Sequence, residues 1–177
     1  MLNGTVAGLR ARHDSDIPVL DAELYDDVAI RVRTDPRPWR PIPPGSEASP
    51  FRVTDPASDP AVFSVVDLAT GELAGAAQLG GVDLHNRVGH LGVALRPSRR
   101  GRGLGSDTVR VLCRYGFAIR GLHRLQAETL ADNAAMIRAA TQAGFTREGV
   151  LRHAAWVNGT FADEVILGQL ASEWDGG

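Results

Sequence analysis

A glycine-rich stretch in the middle of the chain carries its clearest chemical signal. It reads Arg99-Arg-Gly-Arg-Gly-Leu-Gly-Ser106 and lies between an apolar run and a helical pattern. Its glycines, which lack Cβ atoms and so let successive N–H groups turn toward one anion, are Gly101, Gly103 and Gly105. A helix N-terminus adds unpaired donors and partial positive charge, to which three arginines add formal charge. The stretch therefore predicts a phosphate site, and a pyrophosphate is its natural ligand.

Two common phosphate loops do not fit this stretch. The Walker pattern ends in Gly-Lys-Ser/Thr, and the stretch contains no lysine. A dinucleotide fingerprint requires glycine at position 106, where this chain has Ser106. A different phosphate-binding family is therefore indicated.

The spacing Arg100-x-x-Gly103-x-Gly105 resembles the coenzyme A loop of the GNAT N-acetyltransferases. A second block, Asn133-Ala-Ala-Met136 with Gly144-Phe145 downstream, is similar to the asparagine-headed helix of the same family. The ending, with Glu148-Gly-Val-Leu-Arg152 and Glu173-Trp174, is similar to the RimJ/RimL branch, which acetylates protein N-termini. The resemblance covers residues 63–174.

This resemblance implies a fold, a cosubstrate and a set of contacts. The fold is the GNAT fold, an α+β arrangement whose mixed, mostly antiparallel sheet has helices on both faces. The cosubstrate is acetyl-CoA, with no metal. The residues implied to contact coenzyme A are Val93, Leu95, Arg100, Gly101, Arg102, Gly103, Leu104, Gly105, Ser106 and Asn133. Val93 and Leu95 would contribute backbone groups of a free strand edge, to which the pantetheine arm adds like a further strand.

The acceptor ammonium must lose a proton before it attacks, so a base is expected on the strand beside the thioester. His90 is the candidate, because the family often has an acidic residue at this place and a free imidazole has a pKa of about 6.5. The alternative is that His90 only covers the sheet surface. If His90 is not the base, the other candidates for that role are His85, Asp83, Asp163 and Glu164. A strand bulge near Val93 or Ala94 could leave an N–H free to polarise the carbonyl.

The residue that protonates the leaving thiolate is not identified. Ala140 stands where many family members have a tyrosine, and Met136 stands where the RimL branch can have a serine. A coenzyme A thiol is acidic enough to leave as a thiolate and take its proton from water. Cys113 is predicted to lie in the apolar half of a helix, and the sequence indicates no base beside it. Direct transfer in a ternary complex is therefore preferred to a mechanism with a covalent cysteine intermediate.

Several readings of the function stay open. The first is acetylation of a protein N-terminal amine; the second is acetylation of a small amine such as a polyamine, an antibiotic or an amino acid, which an acidic pocket would favour. A coenzyme A binding protein without catalysis is the third, suggested by Ala140 and Met136. A nucleotide binder on an unrelated fold is the last. Three aromatic residues are candidates to line the acceptor pocket, although a packing role is favoured for each: Trp39, Trp156 and Phe161.

Composition limits the wider setting. A chain of 177 residues fits one domain, taken as 1–177. A formal net charge of −2 argues against a general nucleic-acid binder, and no apolar run has the length of a membrane span. With Cys113 the only cysteine, no intrachain disulfide can form, and a cytoplasmic location is expected. A homodimer is compatible with the resemblance.

The elements that must position these residues follow from periodicity and turn residues. Residues 9–12 predict a strand, and apolar residues spaced helically from Ile17 predict one or two helices. Most prolines fall in 35–60, which predicts a long loop. Further strands are predicted at 63–68, 72–79, 88–95, 122–130, 145–157 and 160–171, and helices at 104–119 and 133–143.

Overall fold

The computed structural model of the chain describes residues 1–53, 55, 57 and 59–176. Within this part of the chain the strands are β1 (Leu2–Asn3), β2 (Ala7–Arg10), β3 (Ala61–Asp67), β4 (Leu73–Asp83), β5 (Val88–Leu95), β6 (Arg124–Leu130), β7 (Thr146–Val157) and β8 (Thr160–Leu170). The helices are α1 (Ile17–Leu20), α2 (Val28–Thr34), α3 (Leu104–Arg114) and α4 (Ala134–Gln142). Wider π-type turns extend α1 through Tyr25 and α3 through Ile119.

The eight strands form one sheet in the order β1-β2-β3-β4-β5-β6-β8-β7. Every neighbouring pair is antiparallel except β5 and β6, which are parallel. The parallel pair follows from the connection through α3, because strands joined by a helical crossover run in the same direction. The predicted α+β class and the mixed, mostly antiparallel sheet are confirmed.

Helices cover both faces of this sheet, as predicted. On one face, α3 and α4 pack on the larger apolar core, which includes Leu91, Leu125 and Ala127. On the other face, the chain of α1 and its π-type turn packs on Ala76 and Ala94. Side chains alternate along a strand, so the even-numbered positions of β5 and β6 face the α1 side of the sheet. Residues of β5 and β6 can therefore contact each other through their side chains only when they lie on the same face of the sheet.

Two element predictions differ from the structure and a third is confirmed. The chain begins with a short hairpin, β1 and β2, whereas the sequence predicts one strand at 9–12, because β1 has only two residues and is too short to show an alternating pattern. The predicted helical stripe of α3 includes Ile119, but this residue is 56% exposed, since a π-type turn changes the phase of the helix. In 35–60, the described residues form neither helix nor strand, in agreement with the predicted loop.

A buried carboxylate fixes the start of α1 to the sheet. The Asp16 side chain accepts hydrogen bonds from Arg10 Nη1 at 2.6 Å, from the His13 N–H at 2.9 Å and from Ser64 Oγ at 2.7 Å. Burial by itself raises the pKa of Asp16, but these hydrogen bonds and the Arg10 charge hold that pKa well below its usual range. The position of α1 over the sheet thus depends on an ionised carboxylate.

Candidate active site

The loop between β5 and α3 has the backbone shape that the glycines predict. Gly101 has φ +75° and Gly103 has φ +78°, and a Cβ added at either position would meet no atom within 4 Å. Gly103 is the N-cap of α3, and no side chain caps the helix there. The first N–H groups of the helix are therefore exposed to whatever occupies the open space in front of the loop. An anion is the ligand that this arrangement favours.

Gly105 has a different role from the other two glycines. It lies in the first turn of α3 with an ordinary helical backbone, and a Cβ built there would lie 3.6 Å from Leu95 Cδ1, an ordinary van der Waals contact. The loop therefore needs glycine at 101 and 103 for backbone conformation, whereas Gly105 only lets the helix pack closely on the end of β5.

The arginines around the loop divide into two groups. The guanidinium of Arg99 forms an ion pair with Glu72 at 2.8 Å, so its charge is already matched. Arg100 and Arg102 are exposed at the loop, although Arg100 Nε donates to the Leu95 carbonyl at 3.1 Å. We therefore expect Arg100 and Arg102, rather than all three arginines, to supply charge to an anion bound at the loop.

Two side chains in the first turn of α3 hold the helix rather than face the anion. Ser106 Oγ donates to Gln142 Oε1 of α4 at 2.9 Å. Asp107 is buried, and its Oδ2 accepts the N–H groups of Val6 at 2.7 Å and Ala7 at 2.8 Å. Ser106 can contact a ligand through its backbone N–H, whereas Asp107 fastens the start of α3 to the beginning of β2.

A gap opens in the sheet beside β5. The strands β5 and β6 pair only at Val88, Gly89 and His90, while β6 stays paired with β8 as far as Leu130. The edge of β5 from Gly92 to Leu95 therefore has no partner in β6. This free edge runs from the glycine loop at one end to His90 at the vertex of the gap, the point where the two strands diverge.

Backbone groups along this edge point into the gap at alternate residues. The Arg96 N–H bonds to the Ala74 carbonyl of β4, so the even-numbered residues of β5 direct their backbone groups toward β4. The N–H groups of Val93 and Leu95 consequently point away from β4, toward the gap, whereas the Leu91 N–H points to the Gln126 carbonyl in the last rung of the parallel pairing. The expected bulge is absent, because pairing with β4 is regular from His90 to Leu95, and a free N–H arises instead from the divergence of β6. The alternative polarising group at Ala94 is excluded.

His90 lies at the vertex, on the α1 side of the sheet. Its side chain is 44% exposed, and its ring packs over Gly81 of β4. The imidazole Nδ1 lies 3.6 Å from Glu128 Oε1 of β6. A histidine in this place can exchange a proton with a group that enters from solvent, as a base beside a thioester must.

The other candidate bases lie in positions less suited to that role than the position of His90. Asp83 Oδ1 accepts the N–H groups of His85 and Asn86 at 2.9 Å each, so Asp83 and His85 belong to the tight β4–β5 turn. Asp163 Oδ1 accepts the His153 N–H at 2.8 Å, at the point where the pairing of β7 with β8 is irregular. Glu164 of β8 shares the face of the sheet with Glu128 and lies diagonally across from it. Glu164 is therefore the substitute that shares a sheet face with His90.

Asn133 has the helix-capping role that the sequence allows. It is the N-cap of α4, where its Oδ1 accepts the Met136 N–H at 3.2 Å and its Nδ2 donates to Thr129 Oγ1 at 2.9 Å. Ala140 is fully buried in the larger core, and Met136 packs against that core. Neither position offers a proton donor, in agreement with the sequence.

Packing accounts for Cys113 and Trp39, whereas the other two candidate aromatic residues pack mainly on each other. Cys113 is buried, and burial raises the pKa of its thiol to about 12, which leaves it unreactive. Trp39 Nε1 donates to the Tyr25 carbonyl at 3.1 Å, so Trp39 packs inside the loop that follows α2. Trp156 and Phe161 pack edge to face with ring centroids 4.8 Å apart, yet both stay more than half exposed on the β7–β8 hairpin.

Glu128 and Gln126 are the site residues that the sequence did not single out. Both lie on the even-numbered face of β6, and Gln126 Nε2 donates to Glu128 Oε1 at 2.6 Å. The local signal that could have found them is the alternation Gln126-Ala-Glu128 in a predicted strand. Their contact with His90 depends on the parallel pairing of β5 and β6, which local sequence does not specify.

The residues that the structure describes contain no group of three or more His, Cys, Asp or Glu side chains placed to hold a metal ion. No helix in the described ranges is long and apolar enough to cross a membrane.

The fold is shared with solved acetyltransferase structures. Spermidine N-acetyltransferase from Vibrio cholerae, in complex with CoA and spermine, superposes with a TM-score of 0.77, at 19% identity over 96% of this chain and 98% of that one. Ribosomal-protein-S5-alanine acetyltransferase from Vibrio fischeri superposes with a TM-score of 0.58, at 23% identity over 64% of this chain and 63% of that one. The GNAT fold is thereby confirmed.

Sequence comparison gives the same family. The N-acetyltransferase YoaA of Bacillus subtilis, itself uncharacterized, is 33% identical over 91 residues, which are 51% of each chain. The chain spans about half the length of the curated relatives it matches first. A model of the acetyltransferase (GNAT) domain matches residues 8–146. Since that match covers most of the chain, the protein belongs to the GNAT acetyltransferase family.

Proposed function

We propose that this chain is an acetyl-CoA-dependent N-acetyltransferase of the RimJ/RimL type, with residues 1–177 acting as one domain. The observation that carries the proposal is the free edge of β5, which joins the glycine loop at the start of α3 to a half-exposed histidine. An extended cosubstrate with a pyrophosphate at one end and a reactive thioester at the other matches this layout. From His90 to Leu95 the strand covers about 17 Å.

The contacts proposed for acetyl-CoA follow the strand. Its pyrophosphate lies against the loop Gly101–Ser106, where helix N–H groups and the charges of Arg100 and Arg102 meet it. The amide-bearing arm pairs with the backbone groups of Val93 and with the N–H of Leu95, as an added strand does. Asn133 adds a hydrogen bond from the α4 side, because its amide retains one N–H beyond the bond to Thr129.

Within this arrangement His90 acts as the general base. It takes one proton from the acceptor ammonium, and the free amine attacks the carbonyl carbon, whose oxygen is stabilised by an N–H of the β5 edge. The C–N bond forms, the C–S bond breaks, and the second amine proton passes through water to the thiolate. No side chain near Ala140 or Met136 is required for this last transfer.

The proposed acceptor is the N-terminal amine of a protein or peptide. The exposure of His90 and Glu128, 44% for each side chain, leaves room for a large acceptor to present one end of its chain. The similarity in fold to a ribosomal-protein acetyltransferase supports the same acceptor class.

A polyamine is the second candidate acceptor. Glu128 and Glu164 place two carboxylates on one sheet face, diagonally across paired strands, and such carboxylates attract an acceptor with several ammonium groups. The similarity in fold to a spermidine N-acetyltransferase is consistent with this class.

The test is acetyl transfer to a mixed panel of acceptors. Peptides with free N-termini, the same peptides with blocked N-termini and one lysine, spermidine and an aminoglycoside are incubated with acetyl-CoA, and the products are identified by mass spectrometry. Acetylated peptide termini support the RimJ/RimL assignment, whereas acetylated spermidine alone supports the second candidate. Acetyl-CoA binding without any product points to a protein that binds coenzyme A without catalysis.

His90→Ala provides the matched control for the base. The proposal expects a loss of roughly 100-fold or more in kcat with acetyl-CoA affinity unchanged, because His90 lies outside the contacts that hold the cosubstrate. A variant that melts at the wild-type temperature and keeps full activity would remove His90 from the mechanism.

A further inference from the structure

The contact between His90 and Glu128 joins the two strands at the last point where they pair. His90 lies opposite Gln126 in the parallel register of β5 and β6, and Glu128 is the next residue on the same face. The 3.6 Å between Nδ1 and Oε1 is an ion-pair distance, slightly longer than a hydrogen bond. Catalytic hydrogen bonds are often this long without substrate and shorten in the reacting complex.

Glu128 is itself held in place by a chain of polar contacts along β6. Gln126 Nε2 donates to Glu128 Oε1 at 2.6 Å, and Gln126 Oε1 accepts from Arg124 Nη2 at 3.1 Å. The Arg124 guanidinium is in turn paired with both oxygens of Glu148 on β7, with Nη1 2.7 Å from Oε1. These contacts orient the carboxylate of Glu128 and hold the same oxygen, Oε1, that lies nearest the His90 ring.

From this geometry we infer that Glu128 is the positioning residue of His90. The inference rests on the function proposed above. Glu128 accepts a hydrogen bond from the Nδ1–H of the imidazole, which leaves Nε2 with a free lone pair facing the acceptor. When Nε2 takes the proton of the acceptor ammonium, the carboxylate stabilises the imidazolium, and the proton then leaves to solvent. Glu128 takes no proton from the acceptor and does not touch the reacting atoms.

The other charged groups around His90 do not take this role. Glu164 lies beyond Glu128 on the same face, nearer the far end of β6. Asp59 lies beside the neighbouring turn of β4, where its Oδ2 accepts the N–H groups of Gly81 at 2.7 Å and Val82 at 3.3 Å. On β4, which offers glycines here, His90 is paired with Gly80 and its ring lies beside Gly81.

Glu128→Gln tests the inference, with Glu164→Gln as the matched control. For Glu128→Gln we expect kcat to fall about tenfold or more, KM for acetyl-CoA to stay unchanged, and the acid limb of kcat/KM to move to lower pH. For Glu164→Gln the acid limb stays in place, because that carboxylate does not contact His90. In a His90→Gln background, Glu128→Gln should have no further effect on kcat.

A second measurement is independent of turnover. Long-range 1H–15N NMR spectra of uniformly labelled protein report which imidazole nitrogen of His90 carries the hydrogen. We expect the Nδ1–H form in the wild type at pH 8 and a mixture of tautomers in Glu128→Gln. The Nε2–H form in the wild type, or unchanged kinetics in Glu128→Gln, would overturn the inference. If the wild type shows the Nδ1–H form but acetylates no acceptor, the proposed function fails while the positioning role stands.

Discussion

Gly103 offers the sharpest test of the phosphate loop, because its substitution by alanine changes one backbone preference and adds one methyl group. Its φ of +78° is a conformation in which an L-residue costs about 1–2 kcal/mol. The structure leaves open space at its Cβ, so the methyl group would occupy the region proposed for the pyrophosphate. The substitution therefore affects both the conformation of the loop and its ligand.

The expected loss in acetyl-CoA affinity combines these two effects. If the loop relaxes to avoid the strain, binding must restore the strained conformation at about 1–2 kcal/mol, and one hydrogen bond of about 1 kcal/mol is lost. The sum of about 2–3 kcal/mol corresponds to a Kd raised roughly 30- to 150-fold for Gly103→Ala. Isothermal titration calorimetry with acetyl-CoA measures this directly.

Two alanine variants separate backbone strain from the loss of a ligand contact. Gly105→Ala places its methyl group in ordinary contact with Leu95 within a helix, so it should bind acetyl-CoA within a fewfold of the wild type and unfold at a slightly higher temperature. Gly121→Ala, with φ +64° in a turn outside the loop, should lose about 1–2 kcal/mol of stability without losing affinity. Wild-type affinity in Gly103→Ala, or a loss in Gly105→Ala of the same size, would refute the assignment of the loop.

Three further predictions concern other parts of the chain. Asp16→Asn should lower the free energy of unfolding by about 2–4 kcal/mol at pH 7. Since the pKa of Asp16 is depressed in the folded state, its contribution is complete above about pH 4 and is lost as pH falls further, so urea unfolding of the variant should depend less on pH below 4. Cys113→Ala should keep its kcat, and initial-rate plots should intersect rather than run parallel, because the buried thiol takes no acetyl group. Asn133→Ala should lose about 1 kcal/mol of stability and bind acetyl-CoA more weakly, whereas Asn133→Asp should recover the stability by capping α4 but not the affinity. Wild-type stability in Asn133→Ala would contradict the capping role.

The backbone shape of the glycine loop could be predicted from the sequence because its determinants are local. Glycine spacing, the apolar strand before it and the helical stripe after it all lie within about thirty residues. The left-handed backbone at Gly101 and Gly103 and the cap at Asn133 follow from the same local preferences. The α+β class could be predicted for the same reason, since the order of strands and helices is written along the chain.

The features that the sequence did not predict depend on residues far apart in the chain. The ion pair of Arg99 with Glu72 removes one arginine from the anion site, and it arises because the β3–β4 turn meets the end of β5. The approach of Glu128 to His90 depends on the parallel register across the α3 crossover. The free N–H groups of the gap depend on where β6 leaves β5, which no local pattern in either strand encodes.

The central claim is that acetyl-CoA lies along the free edge of β5, between the glycine loop and His90. A crystal structure of the protein with coenzyme A tests this most directly. The account predicts the pyrophosphate on the N–H groups at the start of α3, the amide-bearing arm paired with Val93 and Leu95, and the sulfur at the vertex beside His90. Coenzyme A bound away from this gap, or a gap closed by pairing of β5 with β6 beyond His90, would contradict it.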